Sequence, residues 1–280
     1  MKKPIRERLN MIQSYSLNID SLSFLYYFVN MQHLSWLSRT QLLIGEEKLK
    51  HLTGRHVMVV GLGGVGSYAA EFIARSGIGK MTIIDGDVVD PTNRNRQLPA
   101  LATNHGESKA LIMAERLKSI NPELNLNVVQ SFVNPEMVEE QLNNQPDYII
   151  DAIDSITPKI TFLKLAYGSR IRVVSSMGAG AKLDPTQLQV VDISKTYNCP
   201  FAQQVRKNLK NAGIYKGIKV VFSPEKPIKE SLMLTDGKNF KKSAYGTISY
   251  LPAVFGAVAA SVVIRDLMNE VPSLGNEPCA

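Results

Sequence analysis

The chain has 280 residues, of which 44% are hydrophobic and 20% charged, with a net charge of +7. That length can bury the core of one large α/β domain, and the positive excess either favours polyanionic partners or is a solvated surface. The two cysteines, Cys199 and Cys279, stand in no C-x-x-C, which argues against a disulfide framework and a structural zinc and fits a reducing, cytoplasmic setting.

Basic residues (Lys2, Lys3, Arg6, Arg8) precede a short apolar run, Phe24 to Val29. Asp20 interrupts the approach and no small-residue cleavage site follows, so residues 1–30 read as a dispensable extension rather than a signal peptide. From Met31 a helical pattern begins, opening a core expected over residues 31–195. Apolar runs suited to buried parallel strands then alternate with helical patterns. Strands are predicted at 56–60, 80–85, 125–129, 148–151 and 172–176, and helices at 64–76, 107–120, 134–142 and 158–167. This βαβ rhythm predicts a Rossmann-like, doubly wound, mostly parallel sheet.

After residues 187–192 the rhythm breaks. Residues 195–242 carry eleven Lys or Arg against three acids, and residues 196–245 read as a basic, partly mobile excursion. The chain returns in a closing helix near 250–268, within a terminal segment 246–280. Residues 244–264 hold no charge, a length that meets the criterion for a membrane span. Gly246, Ser249, Pro252, Gly256 and Ser261 make the run weakly hydrophobic, so a small-residue-rich buried helix is expected there and no membrane span.

The chemistry centres on Gly61-Leu-Gly63-Gly64-Val-Gly66, between the first strand and its helix. Glycines allow a tight turn and close backbone approach, and the helix N-terminus offers amides to phosphate. Asp85 ends the next strand, where a carboxylate meets a ribose hydroxyl. To this point a nicotinamide dinucleotide and ATP fit equally. Asn93-Arg94-Asn95-Arg96-Gln97 and the helix opening at Lys109 separate them. A dehydrogenase has no need of an Arg and a Lys converging after its second strand, whereas attack of a carboxylate on an α-phosphate requires such a clamp. Asp154, in Asp151-Ala-Ile-Asp154, is placed to hold Mg²⁺ at the carboxyl edge of the sheet. Any one of these charges alone would read as a surface ion pair; the ordered set at strand ends does not.

Arg39-Thr-Gln41, the Gly61–Gly66 loop, Asp85, Asn93, Arg96-Gln97, Lys109 and Asp151–Asp154 together resemble the ubiquitin-activating-like adenylyltransferases of molybdopterin and thiamine biosynthesis. The resemblance implies ATP and Mg²⁺ as cofactors. It implies that the glycine loop, Asp85, Asn93 and Asp151 bind nucleotide, that Arg96 and Lys109 handle the phosphates, and that Asp154 serves the metal. It also implies a homodimer in which Arg39 enters the partner's site.

The paired C-x-x-C zinc ligands of sulfur-carrier activators are missing, and Cys199, with no nearby His in the sequence, reads as inert rather than as a transthiolation nucleophile. The segments Asp151–Lys159 and Gly178–Thr196 are similar to the tRNA threonylcarbamoyladenosine dehydratase branch. That implies activation of the threonyl carboxylate beside a tRNA anticodon, then ring closure with release of AMP, and the basic segment would dock the tRNA. A sulfur-transfer protein partner is also compatible with the branch, although Ser243–Gly246 stands where its members often carry a cysteine. The alternative is an activator of a small ubiquitin-like or sulfur-carrier protein; a redox module and a non-catalytic binding protein fit the phosphate clamp less well.

Overall fold

The computed structural model describes residues 34–234 and 243–271. The described residues up to Leu43 fall in one unit and those from Ile44 onward in another. The expected extension, residues 1–30, lies outside the described residues. Helix α1 is Ser38–Ile44 and α2 is Glu46–Thr53.

The second unit is built on β1 (His56–Val60), α3 (Gly66–Arg75), β2 (Lys80–Ile84), α4 (Lys109–Ile120), β3 (Asn125–Val129), α5 (Pro135–Asn143), β4 (Tyr148–Asp151), α6 (Ile156–Gly168) and β5 (Arg172–Ser176). β6 (Gln189–Asp192), α7 (Pro200–Asn211), β7 (Lys219–Phe222), a hairpin of β8 (Leu232–Leu234) and β9 (Ser243–Tyr245), and α8 (Tyr250–Met268) follow. The main sheet runs β3-β2-β1-β4-β5-β7-β6, parallel except for β6, which is antiparallel to β7. All five residues of β1 are buried, as a Val-rich central strand covered on both faces requires. Strand order reverses between β1 and β4, which opens a crevice outside their carboxyl ends.

The basic excursion is not one. Residues 200–222 belong to the fold: β7 is hydrogen-bonded between β5 and β6, and α7 buries Ala202, Val205 and Leu209 in a cluster with Leu163, Val220 and Phe222. Burying a Val or Leu side chain stabilises by about 1.5–3 kcal/mol, which fixes α7 whatever its outer face carries. Residues 235–242 lie outside the described residues.

The charge-free run also has a place in this core. Helix α8 is the one described helix long and apolar enough to cross a membrane. It buries Leu251, Phe255, Ala259, Ala260, Val262, Val263 and Leu267 in the main cluster with Ala69, Ala70 and Ile73 of α3.

Candidate active site

The loop after β1 closes on itself. Gly61 has a φ of +86°, and a Cβ on Gly66 would stand 1.7 Å from the Gly61 carbonyl oxygen, so both positions require glycine. The loop is also pinned to its neighbours, since the Gly61 amide donates to Ile84 O at 2.8 Å and the Ala152 amide to Val60 O at 2.9 Å. Helix α3 begins here with no side-chain cap and no acid in its first turn. The positive end of the helix dipole therefore lies at this loop, the arrangement that receives anions.

Asp85 ties this loop to the end of β2. One carboxylate oxygen accepts from the Leu62 amide at 2.6 Å and the other from the Asp87 amide at 2.7 Å. Burial pushes its pKa up, against those two amides and the Lys109 charge, which pull it down. Each oxygen keeps a second lone pair, so the carboxylate can still accept from hydroxyl groups.

Asn93 is buried in the 3-10 turn Pro91–Asn93, where its Oδ1 accepts from the Asp90 amide at 3.3 Å. That turn delivers Arg96 to the loop: a Cβ on Gly64 would lie 3.5 Å from Arg96 Cγ. The Arg96 guanidinium donates to two neutral oxygens, Thr92 O at 3.0 Å and Asn95 Oδ1 at 2.8 Å. Burial lowers its pKa, while the Asp154 and Asp90 charges raise it.

Lys109 opens α4, capped by the Ser108 hydroxyl accepting from the Leu111 amide. It is only 4% exposed, and its ammonium reaches Asp87 at 3.2 Å. Asp87 is thus the second acid of the Asp85-Gly-Asp87 turn, and the lysine is anchored on it beside the crevice.

The two aspartates after β4 divide their tasks. Asp154 is exposed at the carboxyl edge, where a metal or a second charge can reach it. Asp151 is 0% exposed and committed: it pairs with Lys159 at 2.8 Å, accepts from Ser175 Oγ at 2.7 Å and takes the Ile153 amide at 3.0 Å. The expected nucleotide-binding role of Asp151 therefore meets a carboxylate whose partners all lie within the chain. Its carboxylate is buried beneath the site and shapes the loop that carries Asp154. Arg39 belongs to α1, in the first unit.

Sequence reasoning overlooked Lys159 and Lys182. Lys159 is fully buried and also donates to Ile153 O at 2.9 Å; burial lowers its pKa and the Asp151 charge restores part of it. Lys182 is 2% exposed and donates to Ser223 O at 2.8 Å and Gly178 O at 3.2 Å. Burial lowers its pKa as well, offset by the neighbouring thiol of Cys199, itself only 4% exposed. For Lys159 the signal available was a lysine on an apolar helical stretch with no acid beside it.

Among known proteins, the ThiF family model matches residues 37–278. The chain is 40% identical over 245 residues to the tRNA threonylcarbamoyladenosine dehydratase of Bacillus subtilis, covering 85% of this chain and 96% of the relative. It is similar to solved structures of the tRNA N6-threonylcarbamoyladenosine dehydratase of E. coli. The AMP complex matches at TM-score 0.77 and 40% identity, over 85% of this chain and 95% of that one. The ATP complex matches at TM-score 0.77 and 38% identity, over 86% and 97%. The chain belongs to the ThiF family, within its group of tRNA threonylcarbamoyladenosine dehydratases.

Proposed function

We propose that this chain is an ATP-dependent tRNA threonylcarbamoyladenosine dehydratase working through a carboxyl-adenylate. The observation that carries the reading is the set of groups gathered at the carboxyl edge: the uncapped α3 N-terminus, Arg96 against Gly64, Lys109 held on Asp87, and an exposed Asp154. The solved complexes of the E. coli relative with ATP and AMP, substrate and product of such a step, support it.

Asp85 accepts hydrogen bonds from the ribose, while the loop amides and Asn93 line the nucleotide. Arg96 and Lys109 take up the charge that builds as the threonyl carboxylate attacks the α-phosphate and pyrophosphate leaves. Asp154 suits Mg²⁺, which is held by one or two carboxylates with phosphate oxygens and water rather than by a closed protein cage. When bound, the ion neutralises phosphate charge. The acyl-adenylate is then captured within the same side chain, which closes the ring and expels AMP; a tethered nucleophile makes an enzyme thiol unnecessary. The burial of Cys199 agrees with that.

The substrate is a tRNA carrying the modified adenosine beside its anticodon, in a cytoplasmic setting. The enzyme is a homodimer in which Arg39 completes the partner's site, and a sulfur-transfer protein is compatible as a further partner. Mixing inactive Arg39→Ala and Lys109→Ala chains should restore part of the activity, because one site in each heterodimer is intact. The test of the function is pyrophosphate release from ATP. It should require Mg²⁺ and modified tRNA; release driven equally by unmodified tRNA, or by a diglycine-tailed carrier protein instead, contradicts the reading.

A further inference from the structure

Helices α6 and α7 pack against each other through Ile156, Ile160 and Leu163 on one side and Phe201, Ala202, Val205 and Leu209 on the other. Both start at the active-site edge. α6 follows Asp154 directly, and Phe201 in the first turn of α7 lies 5.7 Å from the Lys159 ammonium. Both descend toward the opposite edge, where β5 and β7 begin. The two helices therefore form one continuous face, roughly 20 Å long at 1.5 Å per residue, leading away from the site.

The chemistry of that face is one-sided. There is no Asp or Glu between Asp154 and Asp184, and none between Asp192 and Glu225. The exposed side of α7 presents Gln203, Gln204, Lys207, Asn208, Lys210 and Asn211, every one a donor. Lys164 and Tyr167 share a side of α6, one turn apart. The Tyr167 ring packs over Gly217, with Cε2 3.2 Å from where a Cβ there would stand, which brings α6 against the loop holding Tyr215 and Lys216. Tyr215 is 64% exposed, and Arg170 is exposed in the turn that leaves α6. At this end the Asp192 carboxylate is taken up by the amides of Ser194 and Gly217, and Asp266 and Glu270 are taken up by Lys219 and Arg172 at the starts of β7 and β5. The acids of the neighbourhood, Glu136, Glu139 and Glu140, sit on α5, on the far side of α6.

We infer that the α6–α7 face is the track along which the substrate RNA leaves the active site, with the lysines on phosphates and Tyr215 against a base or ribose at its far end. This rests on the proposed tRNA substrate and goes beyond it. The surface combines two stretches far apart in sequence, and Lys164 and Arg170 lie outside the basic segment altogether. A polyanion held by donors without sequence readout suits a stem whose sequence differs among tRNAs.

Tests use full-length protein and modified tRNA, with affinity measured at several salt concentrations. Lys207→Gln/Lys210→Gln and Lys164→Gln/Arg170→Gln should each weaken binding at least about tenfold at low salt. Each should cut the slope of log affinity against log salt by about 2, one unit per lost phosphate contact. Tyr215→Ala should weaken binding at least about fivefold with the slope unchanged, as loss of stacking does. ATP affinity should stay within about twofold of wild type in all three, and Lys48→Gln/Lys50→Gln on α2 should leave the slope alone. Unchanged tRNA affinity and slope in both α6 and α7 pairs overturns the inference, as does preferential binding of this face to anionic vesicles. Tight tRNA binding by the wild type without pyrophosphate release would instead sink the proposed function and leave the track standing.

Discussion

The two edges of the sheet handle charge in opposite ways. At the amino edge the charges close on one another. Arg55 bonds Asp147 at 2.8 Å and Glu270 at 2.9 Å, and Glu270 also takes Arg172. Asp266 receives Lys219 and the Tyr148 hydroxyl, and the Arg172 guanidinium lies 5.0 Å from the Tyr148 ring centre. This circuit staples the end of α8 to the starts of β1, β4, β5 and β7, and burial together with Asp266 drives the Tyr148 pKa far up. At the carboxyl edge the Arg96 guanidinium hydrogen-bonds neutral oxygens, with the Asp154 and Asp90 charges acting on it, and Lys109 is held by one partly exposed acid. A charge network closed on itself contributes to the fold; a charge held by neutral oxygens or by a single acid keeps donors for a ligand.

The sharpest way to break this contrast is to remove carboxyl-edge cations. Arg96→Ala or Lys109→Ala should lower turnover at least about a hundredfold, by loss of transition-state charge stabilisation, while moving stability little. Near-normal turnover in both would place the phosphate clamp elsewhere. The Asp151–Lys159 pair lies at the same edge but is closed and buried, so it should behave as structure. Lys159→Met leaves an uncompensated buried carboxylate and should cost about 3–5 kcal/mol in denaturant unfolding. Asp151→Asn added to it should recover a large part of that loss.

At the amino edge, Glu270→Gln should cost only about 1 kcal/mol and leave turnover within about twofold, because these groups are partly exposed and screened. His56, at the same edge, gives the smallest effect. Its pKa is lowered by burial first and by Lys80 second. The unfolded chain takes up a proton below about pH 6.5 that the folded state refuses. Stability should therefore be constant above that value and fall as the pH drops below it. Urea midpoints at pH 7.5 and 5.5, compared with those of His56→Gln, isolate the contribution.

Much of this was legible in the sequence because local pattern and tertiary role agree. The strands at 56–60, 125–129, 148–151 and 172–176 and the closing helix are where the apolar runs place them, and those at 56–60 and 148–151 are buried throughout. The glycine loop was legible because only glycine closes it. Residues 195–222 were not. Lysines on the outer face of α7 mask the spacing of Ala202, Val205 and Leu209, and β7 is a four-residue strand opening on Lys219. Pro200 at the first turn and the Val220-Val221-Phe222 run were the signals to weigh. The burial of Asp151 was not legible either, because its partner Lys159 comes from the following helix and nothing in the order of residues tells which of two aspartates turns inward.

The adenylation step itself is tested most directly by following an oxygen atom. Modified tRNA whose threonyl carboxylate carries ¹⁸O is turned over with unlabelled ATP, and the AMP released is weighed by mass spectrometry. Attack of the carboxylate on the α-phosphate predicts AMP carrying one ¹⁸O, formed in step with ring closure and pyrophosphate. Unlabelled AMP, or ring closure accompanied by ADP and phosphate, would contradict the account.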